Sequence, residues 1–136
     1  MRIFGLIAGA VACWCLGSGA AAAACDDPQT QAEITICATG SAKDADAALN
    51  AAYRQVMARL ANDDRERLRS AQRAWITFRD KECAFRSGPY DGGSIQGTVL
   101  ASCISALTNE RVSHLLAQAF CAEGDISCVA GGAGRR

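Results

Sequence analysis

Cysteines are the residues of this chain with the greatest capacity for chemistry, and there are eight of them. Two, Cys13 and Cys15, lie in an N-terminal segment that has the pattern of a signal peptide. An even number of cysteines in a short exported chain predicts disulfide bonds rather than redox catalysis. Fifteen pairings are open to the six that remain. These six are Cys25, Cys37, Cys83, Cys103, Cys121 and Cys128.

The spacing of the six cysteines favours one pairing without excluding the others. The last two cysteines bracket a short loop, the first two flank another short segment, and the middle two stand on either side of a glycine-rich loop. We therefore predict that each cysteine pairs with its neighbour in the chain. The predicted bridges are Cys25 with Cys37, Cys83 with Cys103, and Cys121 with Cys128.

Other reactive groups do not form a catalytic or metal-binding pattern. No Cys-x-x-Cys spacing occurs, and the single histidine, His114, has no cysteine at zinc spacing. His114 lies four residues from Glu110, with no evident nucleophile for a base to activate. The adjacent acids Asp63 and Asp64 are explained by helix capping. We expect a protein that is not an enzyme and that needs neither metal nor cofactor.

The charge balance also excludes one class of partner. The chain carries 14 basic and 14 acidic side chains, so its formal net charge is zero. A nucleic-acid-binding protein of this size needs a basic face. We therefore expect no nucleic-acid partner.

The first 24 residues predict export. Arg2 precedes an apolar run, which is followed by small residues up to Ala24, the order of a cleavable signal peptide. A retained membrane anchor is the alternative, but the apolar run is shorter than the ~20 residues that span a bilayer. A lipid anchor on Cys25 is disfavoured, because Ala22 replaces the usual branched residue and acylation would leave Cys37 unpaired. We expect a protein of the periplasm or one that is secreted, without a stable membrane span.

Helical periodicity dominates the remaining sequence. We predict an all-α domain over residues 25–128, followed by a disordered glycine-rich tail over residues 129–136. The architecture expected is a small antiparallel bundle of three long helices, with a short N-terminal helix, stapled by disulfides. The predicted helices run over 28–37, after a cap at Asp26 or Asp27, over 43–61, from a cap within 62–64 to about 85, and from a cap at Ser94 to about 120. A turn at 38–41 is expected to separate the first two.

Polar residues interrupt the apolar stripes of these helices, and buried polar groups must find hydrogen-bonding partners. Asp46 carries the charge to pair with Arg79 or Arg111 across the bundle. We interpret the set as a polar network that fixes helix register, with a binding or catalytic pocket as the alternative. Its predicted members are Asp46, Asn50, Tyr53, Gln72, Trp75, Arg79, Thr108 and Arg111.

Together these inner-face residues resemble a known family, the LprI-type lysozyme inhibitors, over nearly all of the chain from Cys25 to about Phe120. The residues that carry the resemblance are Cys25, Gln31, Glu33 and Cys37; Asp46, Leu49, Asn50 and Tyr53; Leu68, Ala71, Gln72, Trp75, Arg79, Asp80 and Cys83; and Cys103, Leu107, Thr108, Arg111 and Leu115. The resemblance implies an exported inhibitor whose protein partner is lysozyme.

A glycine-rich loop between the last two helices is our candidate for the contact with lysozyme. A lysozyme cleft holds two carboxyl groups, and a loop held at its base by Cys83–Cys103 could present donors and an aromatic ring to them. The candidate residues are Arg86, Tyr90, Asp91 and Ser94. An ordinary helix connection is the alternative. Two rival functions also stay open: an envelope structural or assembly factor that binds a protein through a helix face, and a carrier of a small molecule or lipid.

Overall fold

The computed structural model describes residues 25–122 and 124–130, and three long helices account for most of them. Helix α1 spans Gln31–Met57, α2 spans Asn62–Ser87 and α3 spans Gln96–Ala119. One 3-10 turn, Gly88–Tyr90, continues directly from α2. The described residues contain no strand, so the prediction of an all-α bundle is confirmed. The predicted signal segment and residues 131–136 of the predicted tail lie outside the described residues.

Helices that follow one another in the chain run in opposite directions, so α1 and α3 are parallel. Thr35 meets Thr98 near the start of both helices, and Ser105 Oγ donates to the Ser41 carbonyl farther along both. Helix α2 runs the other way, because its late residue Cys83 is bonded to the early residue Cys103 of α3. Helix α3 therefore packs on both of the other helices.

The predicted break between a short first helix and a second helix is wrong, because α1 is continuous through Gly40. A glycine inside a helix costs only about 1 kcal/mol, and tertiary packing can outweigh that cost. Helix α3 lies along this part of α1: a Cβ on Gly97 would be 3.2 Å from the Thr35 side chain. The predicted turn at 38–41 is therefore one more turn of helix, and no separate N-terminal helix exists within 28–41.

Helix α1 begins at a capping box rather than at the predicted caps Asp26 or Asp27. The Thr30 side chain accepts from the Glu33 backbone N–H at 3.2 Å, and the Glu33 carboxylate accepts from the backbone N–H of Thr30 at 2.9 Å. The same carboxylate accepts from the Gln29 N–H at 2.8 Å. This reciprocal pattern satisfies backbone donors that a helix start leaves without partners.

The other helix ends differ from the prediction by a few residues. Helix α1 ends at Met57, not near Ala61, and the N-cap of α2 is Ala61, whose side chain makes no capping hydrogen bond. Helix α3 begins at Gln96 with Ile95 as N-cap, so Ser94 does not cap it.

An apolar cluster holds the three helices together at the end of the bundle where α1 and α3 finish. Tyr53, Leu68, Trp75 and other partly buried side chains pack around it. Its buried members are Leu49, Ala52, Val56, Leu60, Leu115 and Ala119. Within the described residues, no helix is long and apolar enough to cross a membrane.

Three disulfides link the cysteines in the predicted pairs. The Cα atoms are 5.5 Å apart in Cys25–Cys37 and in Cys83–Cys103, a normal separation for a bridge. The Cys83–Cys103 bridge is buried and ties the end of α2 to the start of α3. The Cys121–Cys128 bridge links two residues of the segment that follows α3.

Candidate functional site

The buried guanidinium of Arg79 is the centre of the polar site. Its Nη1 donates to Asp46 Oδ1 at 2.6 Å and to Thr108 Oγ1 at 3.0 Å, so one side chain of α2 reaches both α1 and α3. Its Nε and Nη2 donate to Asp80 Oδ1 at 3.0 and 2.9 Å. Arg79 is only 8% exposed and Thr108 is fully buried. The cluster therefore joins all three helices.

Two carboxylates stabilise the positive charge of this arginine. Burial acts to lower the pKa of Arg79, but the hydrogen bonds and negative charges of Asp46 and Asp80 outweigh it and raise that pKa above its ordinary value. Asp46 and Asp80 are each about half exposed, at 49% and 56% of their side chains. The guanidinium is thus a permanent cation whose donors are directed at protein acceptors.

A second arginine lies beside this cluster. Arg111 Nε donates to Gln72 Oε1 at 3.0 Å, which joins α3 to α2 one layer away from Arg79. The guanidinium carbons of Arg79 and Arg111 lie 5.5 and 5.8 Å from the centroid of the Trp75 ring. Both distances are typical of cation–π contacts, so one indole stabilises two cations. Burial lowers the pKa of Arg111.

The structure thus brings together six of the eight residues of the predicted polar network, and the other two lie apart. Asn50 is exposed on α1, and no hydrogen bond within residues 25–122 and 124–130 joins it to the Arg79 cluster. Tyr53 packs at the edge of the apolar cluster instead. There it makes a smaller contribution than Glu66 to raising the pKa of Arg69.

The buried polar groups are paired within the protein. Every fully buried side-chain nitrogen or oxygen of the described residues has a hydrogen-bonding partner. His114, the one histidine, is exposed on α3. The described part of the chain also contains no group of three or more His, Cys, Asp or Glu side chains placed to hold a metal ion. The geometry supports a structural role for the network.

Three contacts of the structure were not predicted from the sequence. Asp80 shares Arg79 with Asp46, although neighbouring positions of a helix do not usually face one another. Gln31 Nε2 donates to Thr98 Oγ1 at 2.8 Å, and the hydroxyls of Thr35 and Thr98 lie 2.7 Å apart. Thr35 and Thr98 are small, half-buried polar residues. The spacing of apolar residues along a helix therefore does not predict that they contact one another.

The connection between α2 and α3 is a compact structure rather than an extended loop. The Asp91 and Gly93 backbone N–H groups donate to the carbonyls of Gly88 and Tyr90 at 3.0 and 2.9 Å. Gly92 has φ +76°, which favours glycine, and a Cβ at Gly93 would lie 3.1 Å from the Tyr90 carbonyl oxygen. The backbone of this connection is therefore fixed before any partner arrives.

The four loop residues named from the sequence all lie on the surface of this end of the bundle. Arg86 is the last basic residue of α2, and its Nε donates to Glu82 Oε1 at 2.8 Å. Tyr90 is 44% exposed. Asp91 accepts a hydrogen bond from the Gln96 side chain, and Ser94 is exposed.

Two phenylalanines of α2 and one predicted inner-face residue are exposed. Ala71, which is among the residues predicted for the inner face, is exposed, and Phe78 is 54% exposed. Phe85, seven residues after Phe78, is 77% exposed. The buried face of α2 is narrow because Gln72, Arg79 and Cys83 occupy it.

Comparison with known proteins places this architecture in a family. The family model described as lysozyme inhibitor LprI matches residues 21–115, which include all of α1 and α2 and most of α3. An uncharacterized protein of Rhizobium meliloti (strain 1021) is 33% identical over 104 aligned positions, covering 67% of this chain and 75% of that protein. No solved structure matches. Because the family model covers well over half of the sequence, the chain belongs to the LprI lysozyme inhibitor family.

Proposed function

We propose that this protein inhibits lysozyme without any catalytic activity of its own, and that it does so through the connection between α2 and α3. Membership of the LprI lysozyme inhibitor family supports the choice of lysozyme as partner. The fixed backbone of residues 88–95 supports the choice of surface, since a preorganised segment loses little conformational entropy on binding.

The chemistry of the loop matches the chemistry of a lysozyme cleft. Such a cleft carries two carboxyl groups beside the sugar that is cleaved. Arg86 is a cation, and Tyr90 combines an apolar ring with a hydroxyl that donates hydrogen bonds. Arginine and tyrosine are also the residues enriched among the strongest contributors to protein interfaces.

The ion pair of Arg86 with Glu82 does not oppose this role. Both side chains are partly exposed, and an exposed pair of this kind contributes about 0–1 kcal/mol. A cleft carboxylate can replace Glu82 at little cost. Arg86 is thus held by Glu82 in the free protein, and we propose that it is transferred to the enzyme in the complex.

A lysis assay with the purified, oxidised chain tests both parts of this proposal. The clearing of a bacterial cell suspension by lysozyme should slow as the protein is added. Arg86→Ala and Tyr90→Ala should each weaken inhibition by about tenfold or more, the effect of losing roughly 1.4 kcal/mol of binding free energy. Arg73→Ala and Phe120→Ala are matched controls, since both side chains are exposed far from the loop.

The two parts of the proposal fail in different ways. If the unaltered protein leaves lysis unchanged, lysozyme is not the partner. If the unaltered protein inhibits and both loop variants inhibit equally well, the loop is not the contact surface.

We also propose that the protein acts in the periplasm or after secretion. Three disulfides in a short domain are characteristic of oxidising compartments. Cys25 is bonded to Cys37, so in this form its sulfur is not available for a lipid anchor. Detection of the processed chain in a periplasmic fraction, with its first residue determined by mass spectrometry, tests this location.

One observation favours a second candidate function, that of an envelope factor which binds a protein other than lysozyme. Phe78 and Phe85 are exposed two turns apart on α2, an arrangement suited to a partner helix. A photo-crosslinking residue at position 78 in intact cells would identify such a partner, with position 126 as the exposed control. Crosslinking to lysozyme alone would contradict this candidate.

A further inference from the structure

An apolar pocket of about 390 Å³ lies at the end of the bundle opposite the α2–α3 connection. Three helices meet there: α1 and the residues that follow it contribute Val56 and Leu60, α2 contributes Leu68, and α3 contributes Leu115. Val56, Leu60 and Leu115 also belong to the apolar cluster, so the floor of the pocket is the core itself.

The segment that follows α3 forms the remaining wall. Gln118 holds this segment with both ends of its amide: Nε2 donates to the Ser127 carbonyl at 3.3 Å, and Oε1 accepts from the Val129 N–H at 3.0 Å. The Cys121–Cys128 bridge fixes the same segment covalently. Ser127 and Val129 line the pocket, so this tethered segment forms one side of it.

Size and lining limit what this pocket can hold. Its volume falls within the range of small-molecule sites, about 300–1,000 Å³. A helix with its side chains is about 10–12 Å across, so even two turns would need roughly twice the volume. The walls are mostly apolar, which favours a flexible hydrocarbon over a sugar or a peptide.

The charge of the residues at the rim of the pocket indicates which headgroup the ligand carries. Arg67 lies at the rim, its side chain 77% exposed, and pairs with Asp64 at 2.8 Å. Residues 54–70, which surround this end of the bundle, contain five arginines and three acidic residues. Asp64 also lines the pocket and is only 22% exposed, but the Arg67 guanidinium is mostly in solvent, so it can turn from Asp64 to an anion at the mouth of the pocket.

We propose that this pocket binds a free single-chain aliphatic molecule with an anionic headgroup, such as a fatty acid, its chain among Leu60, Leu68 and Leu115 and its headgroup at Arg67. This site is separate from the proposed lysozyme contact. Its occupation does not depend on whether lysozyme is the partner of the chain.

Calorimetric titration of the oxidised full chain with decanoate, below its micelle concentration, tests the site. Decyltrimethylammonium and decanol have the same chain with a cationic and a neutral headgroup. We expect saturable one-to-one binding of decanoate, at least tenfold tighter than that of the ammonium compound. Arg67→Gln should reduce the preference for decanoate over decanol.

A variant that fills the pocket provides the structural test. Ala71 lines the pocket yet is exposed, so Ala71→Trp places a large side chain in it without displacing a buried one. Ala74→Trp makes the same change on the exposed side of the same helix, outside the pocket lining. Decanoate affinity should fall more than tenfold in the first variant and stay unchanged in the second, with equal helix content in both.

NMR of the unaltered protein provides a measurement that does not depend on the folding of a variant. Decanoate should shift the methyl resonances of Leu68 and Leu115 and leave those of Leu49 nearly unchanged. Absence of saturable binding, unchanged affinity in a folded Ala71→Trp variant, or equal binding of the ammonium compound would each overturn the proposal.

Discussion

Arg79 and Asp46 form a 2.6 Å ion pair although 33 residues separate them in the chain. Each belongs to a different helix, and the same guanidinium nitrogen also donates to Thr108 on the third. The apolar cluster begins at Leu49, one turn after Asp46 on α1, so the pair lies at the edge of that cluster. This pair therefore links α1 to α2 in the middle of the bundle.

Removal of the Arg79 side chain should be strongly destabilising. Arg79→Ala leaves Thr108 without its donor and opens a cavity, so the free energy of unfolding should fall by about 2–4 kcal/mol, somewhat below the loss for a fully buried pair. Asp46→Ala should cost less, about 1 kcal/mol, because its carboxylate is half exposed and Asp80 still pairs with the arginine. Urea denaturation measures both, and equal effects of the two substitutions would contradict the central role of Arg79.

Two glycines should respond in opposite directions to alanine. Gly40 lies inside α1, and a Cβ added to it would meet no atom within 4 Å. Gly40→Ala should therefore raise the free energy of unfolding by about 0.5–1 kcal/mol. A Cβ on Gly97 would lie 3.2 Å from Thr35 Cγ2, and the Thr35 hydroxyl is held by Gln31 and Thr98. Gly97→Ala should therefore lower the free energy of unfolding. Thermal unfolding compares the two, and destabilisation by Gly40→Ala would argue for a turn at that position.

The capping box of α1 should make stability depend on pH. The Gln29 backbone hydrogen bond, followed by those of Thr30, holds the pKa of Glu33 below its ordinary value of 4.5. The carboxylate therefore stabilises the fold fully above pH 4.5, and this contribution is lost as the pH falls through the lowered pKa of the folded state. Glu33→Gln should be less stable than the unaltered chain at pH 7, and the difference should shrink below pH 4.5.

Glu110→Gln is the control for this pH dependence, because it removes one exposed acid outside any cap. Urea denaturation at pH 7 and pH 3 gives the free energy of unfolding of the unaltered chain and of both variants. A difference for Glu33→Gln that stays constant over this range would show that the cap acts through something other than the charge of Glu33.

Loss of the Cys83–Cys103 bridge should affect both stability and inhibition. The bridge closes a loop of 20 residues, for which the chain-entropy account gives about 3 kcal/mol. A double Ala variant should lose about that much, and its inhibition of lysozyme should fall at temperatures where it is still folded, because the base of the α2–α3 connection is freed. A double Ala variant of Cys121 and Cys128, whose bridge lies at the opposite end of the bundle, should inhibit normally while folded.

Some of these features could be predicted from the sequence, since they depend on local pattern or on charge. The pairing of neighbouring cysteines and the three-helix architecture are of this kind, and charge limited the partners of Asp46 to two arginines. The continuity of α1 through Gly40 could not be predicted, because contact with α3 decides it. The exposure of Phe78 could not be predicted either. Polar residues occupy the inner face of α2, and the spacing of apolar residues alone does not indicate that.

The order of the disulfides has a consequence for biogenesis. Of the six cysteines in the described residues, the first is bonded to the second, the third to the fourth and the fifth to the sixth. A polypeptide emerges from its N-terminus first. Therefore, when Cys37, Cys103 or Cys128 appears, the only earlier cysteine of this set that is still unpaired is its native partner. Correct oxidation then requires a catalyst that forms bonds but not one that rearranges them, and an oxidase without isomerase activity should suffice for this chain.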